Sequence, residues 1–129
     1  MDAIELKIDT TKQDFERYRA HIAYWIKKCS LTNYQWFVAI EDINRDATVG
    51  VNWKGRRLDF AIAKEREGKF SIPSLARHEV FEALIGEMSC RLGEFLAEDI
   101  IVTITHDIIH RLQEIIPLPS DKEAGYVKK

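Results

Sequence analysis

The sequence predicts one α+β domain with helices packed on one face of an antiparallel sheet. Apolar side chains alternate at every second residue through the middle of the chain. Three- and four-residue apolar periodicity flanks that region on both sides, and only short turn signals interrupt it. The chain has 129 residues, 46% of them hydrophobic and 31% charged, enough to bury a core without disulfides or a structural metal.

Ile4, Leu6 and Ile8 alternate with polar residues and read as a short strand. Thr10, with Gln13 three residues later, has the form of a capping box. Phe15, Tyr18, Ile22, Trp25, Ile26 and Cys29 then make one helical stripe, so a helix is expected from about Lys12 to Cys29, with His21 on its polar flank. Tyr34, Trp36, Val38 and Ile40 alternate with Gln35, Phe37, Ala39 and Glu41. Both sets are fairly apolar, which predicts a central strand covered on both faces. Asn44-Arg45-Asp46 is a turn, and Val49, Val51 and Trp53 form the next strand. Lys54-Gly55 is a tight connection in which Gly55 can take positive φ, before a strand of Leu58, Phe60 and Ile62. Three strands joined by short turns predict an antiparallel meander.

Lys64 to Lys69 reads as a charged loop. Ser71 and Pro73 open a second helix, with Phe81, Leu84, Ile85, Met88 and Leu92 as its apolar stripe, ending near Gly93. Ile100-Ile101-Val102 reads as a brief strand or a buried lead-in. Thr103 or Thr105 then caps a third helix that turns Ile108, Ile109, Leu112, Ile115 and Ile116 inward and stops at Pro117 and Pro119. Residues 1–119 are expected to form the domain and residues 120–129 a flexible polar tail.

Composition narrows the function classes. Nineteen basic and 21 acidic residues leave a net charge of −2, so nucleic acid is a disfavoured partner. The clusters Lys54, Arg56, Arg57 and Lys64, Arg66, Lys69 read as solvated loops. No apolar run approaches the roughly 20 residues that span a bilayer. Met1 to Glu5 do not read as a signal peptide, and Cys29 and Cys90 make no disulfide framework and no CxxC. A reduced, cytoplasmic protein is expected, with both cysteines as small buried hydrophobes and Trp25, Trp36 and Trp53 in the core or on a sheet face.

One motif carries chemistry. His78-Glu79-Val80-Phe81-Glu82 is H-E-x-x-E on the second helix. Residues four apart lie one turn above each other, so His78 and Glu82 can reach one ion, and imidazole nitrogen and carboxylate oxygen both ligate zinc. Glu79 projects about 100° round the helix. There it can meet a water activated by the ion, the position of a general base. The third helix holds His106, Asp107 and His110. Of these, His106 lies nearest the apolar stripe and best completes a set with His78 and Glu82. Asp107 and His110 are the alternates, although Asp107 also suits the positive end of a helix.

In the segments Trp36-Phe37-Val38, Arg57 to Ile62, Arg77 to Glu82 and His106 to Leu112, the chain resembles small phage and bacterial zincin-like metallopeptidases. The resemblance runs from about Lys12 to Ile116. It implies a minimal zincin-like domain: a helix, a three-stranded sheet, the motif helix and a C-terminal helix bearing the third ligand. By position it implies His78, Glu82 and His106 as ligands of one zinc, Glu79 as catalytic base, and a peptide or protein as substrate. The chain departs from the H-E-x-x-H pattern by exchange: Glu82 stands for the second histidine, and His106 for the usual acid. The alternative is a phage or mobile-element accessory protein that keeps the scaffold without hydrolysis and binds a protein partner.

Overall fold

In the computed structural model, which describes residues 6–128, the elements run β1 (Ile8–Asp9), α1 (Lys12–Lys28), β2 (Gln35–Glu41), β3 (Ala47–Asn52), β4 (Arg57–Ala63), β5 (Glu65–Arg66), α2 (Ile72–Leu92) and α3 (Glu98–Ile115). Ile4 of the expected first strand lies outside the described residues. Helix α1 is capped by Thr11, one residue later than the Thr10 box. Asp14 N–H donates to Thr11 Oγ1 at 3.0 Å, and Thr11 N–H donates to Asp14 Oδ2 at 3.1 Å. Thr10 is engaged elsewhere: its N–H donates to Lys64 O at 2.7 Å and its hydroxyl to Ala63 O. Arg66 Nε donates in turn to Thr10 Oγ1 at 2.9 Å. The loop expected from Lys64 to Lys69 therefore contains a strand, β5, paired antiparallel with β1, and Arg66 is buried rather than solvated.

The sheet is a three-stranded α+β sheet but not a meander. Its order is β2-β4-β3, with β3 antiparallel to β4 and β2 parallel to it. Strand β4 takes the centre because Leu58, Phe60, Ala61, Ile62 and Ala63 are all buried. The strand expected to be central, β2, is an edge: Trp36, Val38 and Ile40 pack on the core while Gln35, Phe37, Ala39 and Glu41 are exposed. Residues 42–46 link β2 to β3 across two interstrand spacings, about 9.5 Å, which a chain of that length spans easily. Residues 53–56 close the β3–β4 hairpin, so Trp53 lies in the turn. There Arg56, not Gly55, has positive φ, at 54°. Gly55 is needed for space: a Cβ would stand 2.9 Å from Asn52 Nδ2, where Asn52 Oδ1 accepts the Gly55 N–H.

Helix α2 is capped as expected, with Ser71 Oγ accepting from Ser74 N–H at 3.2 Å and Pro73 in the first turn. Its buried face differs from the expected stripe. Leu84 and Met88 are exposed, whereas Leu75, Ala76, Val80, Phe81, Ala83 and Gly86 are buried. The helix has neighbours on several sides, and small residues mark the close approaches. A Cβ on Gly86 would come within 2.8 Å of Val51 Cγ2 on β3. Towards α1, Phe81 meets Trp25 edge-on at 5.3 Å between centroids. Burying each ring contributes about 1.5–3 kcal/mol.

Helix α3 begins at Glu98, before Thr103 and Thr105, so Ile100-Ile101-Val102 is helical. Thr105 is free of capping and stands 3.0 Å from Ser89 on α2, hydroxyl to hydroxyl. Cys29 is half-buried, and Cys90 is exposed rather than buried. No helix among the described residues is long and apolar enough to cross a membrane.

The stretch read as a flexible tail makes contacts with α1. Ser120 and Glu123 cap each other's backbone N–H groups. Asp121 Oδ1 accepts from Arg17 Nε at 2.9 Å and from His21 Nε2 at 2.8 Å. His21 is therefore buried instead of lying on a polar flank. Its Nδ1 has no partner, which suits an unprotonated nitrogen better than a buried N–H, and so a neutral ring protonated on Nε2. Burial lowers the His21 pKa from 6.5, outweighing the attraction of Asp121. The unfolded chain thus binds the proton more readily: this stability is full above about pH 6.5 and is lost as pH falls below it. Burial alone would raise the Asp121 pKa, but its bonds to Arg17 and His21 leave it lowered from 3.8, so its contribution is lost only in stronger acid. In a Glu79→Gln background, which removes the opposing titration of that buried carboxyl, urea unfolding should show the protein less stable at about pH 5.5 than at about pH 7.5, and adding Asp121→Ala should weaken it by about 1–2 kcal/mol at the higher pH. Equal stability at both pH values in that background would exclude a buried neutral His21.

Candidate metal centre

The spacing within α2 stacks His78 and Glu82 on the side facing α3, and α3 presents His106 to them. His78 Nε2 lies 3.2 Å from Glu82 Oε1, and His106 Nε2 lies 3.4 Å from the same oxygen. One ligand atom from each residue falls within 4.8 Å of the other two. Ligand atoms about 2.1 Å from a tetrahedral ion stand about 3.4 Å apart, so two of the three separations already match that geometry. The donor set of two imidazoles and one carboxylate can hold a single divalent ion. Among the alternates, His110 lines the same cleft outside the trio, and Asp107 is exposed and does not line it.

Burial and neighbouring charge distinguish the two glutamates. Burial, together with the charge of Glu82, pushes the Glu79 carboxyl up to about 8. Burial would also raise Glu82, but the hydrogen bond and charge of His78, with the charge of His106, leave it below the usual carboxylate range. Glu79 Oε2 is buried without a hydrogen-bond partner. Tyr18 OH is likewise buried without one, and its pKa is raised, mainly by burial and further by Glu79 and Glu82. A protonated Glu79 beside an ionised Glu82 is what two adjacent carboxyl groups favour in an apolar setting.

Gln113, which the sequence reading missed, lies two turns beyond His106 on α3, and its amide stands 2.9 Å from His78 Nδ1. The atom facing the ring is Nε2; with the amide flipped so that Oε1 takes its place, Gln113 would accept the Nδ1 proton and leave His78 Nε2 free as a ligand. The i, i+7 spacing from His106 was the available signal. Gln113→Leu should weaken metal affinity about 10–100-fold in a chelator competition. An unchanged affinity would deny Gln113 this orienting role.

The trio opens into a cleft of about 610 Å³, bounded by α2, α3, the 44–46 turn, the start of β3 and the 67–70 loop. That size is normal for a ligand site. Strand β3 is a sheet edge. Ala63 N–H donates to Asp46 O at 2.9 Å. By antiparallel alternation, the backbone groups of Ala47 and Val49 then point away from β4, and both residues line the cleft. The site thus sets an ion-ligating trio and a second, buried carboxyl opposite an unpaired strand edge. Compared with known protein families, curated proteins and solved structures, the chain matches none of them.

Proposed function

We propose that this chain is a zinc-dependent peptidase built on a minimal zincin-like scaffold. The observation that supports the reading is the convergence of His78, Glu82 and His106 in a cleft that also holds Glu79. Two nitrogen donors and one oxygen donor suit zinc better than magnesium or calcium. A bound zinc would supply a Lewis acid that polarises a carbonyl oxygen and makes water a nucleophile near neutral pH. A cation held by the trio would favour the ionised form of Glu79, and the carboxylate would then take a proton from the attacking water and pass it to the leaving amine. The outward backbone groups of Ala47 and Val49 pair with an extended peptide and hold it along the cleft. Gln113, with its amide oxygen turned to Nδ1, would keep the His78 ring in its ligating orientation. Elemental analysis of protein purified at native pH without chelator tests the reading: about one zinc per chain is expected.

One observation favours the non-hydrolytic alternative. Phe95, Ile100, Val102 and Ile104 are exposed between the end of α2 and the first turns of α3, and exposed apolar groups of this kind serve protein contacts. A metal-free protein in the same elemental analysis would favour this partner-binding reading.

A further inference from the structure

The proposed peptide cleft carries charges of both signs. Helix α2 contributes Glu79 and Glu82, while the loops on the strand side bring Arg45 and Lys69 together with Asp46 and Glu67. These two cations are in different states. Lys69 Nζ pairs with Glu67 at 3.4 Å. Arg45 makes no ion pair among the described residues. Its neighbour Asp46 turns its carboxylate to the N–H groups of Glu67 at 2.8 Å and Gly68 at 3.4 Å instead. Those bonds also tie the 44–46 turn to the 67–70 loop, so Arg45 is carried on an anchored segment. The turn leads directly into β3, and Arg45 stands at the end of the edge on which a peptide would lie.

We propose that Arg45 is a specificity residue that selects peptides carrying a carboxylate, bound at the β3 end of the cleft. The assignment rests on the peptide-cleft part of the proposed function and adds the substrate class. A guanidinium presents a planar fork of donors that matches a carboxylate. An anion there completes a charge that the folded chain leaves without a counter-ion. Two sources offer this group: an Asp or Glu side chain, and a free C-terminus.

The test is fluorescence anisotropy on metal-loaded Glu79→Gln protein. The probes are short dye-labelled peptides that differ only by Glu, Gln or Lys at one position, each made with a free and an amidated C-terminus. The acidic form should bind about five- to tenfold tighter than its neutral partner at low salt, and the gap should shrink as salt rises. A gap in the Glu/Gln pair identifies a side chain, and a gap in the acid/amide pair a terminus. In the Arg45→Gln background the gap should vanish, in Arg45→Lys it should largely persist, and in Arg45→Glu the Lys peptide should bind best. Equal binding of acidic and neutral peptides, a gap that survives Arg45→Gln, or no peptide binding at all would overturn the assignment. Metal content, read on the same samples, separates this from the hydrolase reading. Metal-free protein that keeps the Arg45-dependent gap would sink the hydrolase and leave the specificity. A metal-loaded protein without the gap would do the reverse.

Discussion

Replacing His78 with alanine should strip the metal from the protein. The ring offers one of the three ligand atoms that could share an ion, and Gln113 gives it a partner outside the trio. Two remaining side chains, Glu82 and His106, leave too few protein ligands for a stable zinc site. Chelation of the wild type should give a parallel result. A ligand that binds only the native state at a hundredfold excess over Kd contributes about 2.7 kcal/mol, a shift of several degrees in Tm for a domain of this size. His78→Ala should melt where the chelated wild type melts and should no longer respond to chelator. Full zinc occupancy in His78→Ala would remove the site as described.

Glu79→Gln should leave the metal in place and remove turnover. The amide has the shape of the carboxyl but cannot accept the proton of an attacking water, and loss of a general base typically costs about 10²–10⁴-fold in rate. The background activity to expect is modest. With His106 as third ligand, the set carries one carboxylate and two neutral imidazoles, the same total charge as the usual two-histidine, one-acid set. That leaves the ion's Lewis acidity intact for hydrolysis near neutral pH. A narrow substrate range is expected, since one short strand edge and one cation shape the cleft. Peptide-library digestion with zinc and with manganese, using Glu79→Gln as the blank, measures both. Cleavage identical in wild type and blank would mean a contaminating peptidase. Loss of zinc in Glu79→Gln would make Glu79 a ligand rather than a base.

Local pattern sufficed for the site's first half. An i, i+4 pair on a helix is a property of 3.6-residue geometry, so His78 and Glu82 were bound to share a side wherever α2 packed. His106 was reachable by the same reasoning, because its place beside the apolar stripe of α3 turned it towards a neighbour. Gln113 was not singled out, since an amide carries no chemistry until a ring nitrogen is placed beside it. His21 was misplaced for a related reason. Its burial depends on Asp121, a hundred residues away in the chain, and helical periodicity contains no information about such a partner.

The same division runs through the fold. The sequence by itself determined which segments are helix and which are strand in the middle of the chain, the cap at Ser71, the stop at Pro117 and the α+β class, because each depends on residues within a turn or two of one another. Tertiary structure alone decided the strand order and the parallel β2–β4 pair. Alternation states that a strand has two faces but not which strand lies beside it, and the choice went to β4 because its residues could be buried on both faces. It also decided the buried face of α2, where Ala76, Ala83 and Gly86 admit neighbouring elements that a count of large apolar residues does not anticipate. The cleft belongs to this second group. It needs an edge strand, an anchored turn and two helices in one place, and it exists because β4 moved to the centre of the sheet and left β3 as the edge facing His78, Glu79 and Glu82.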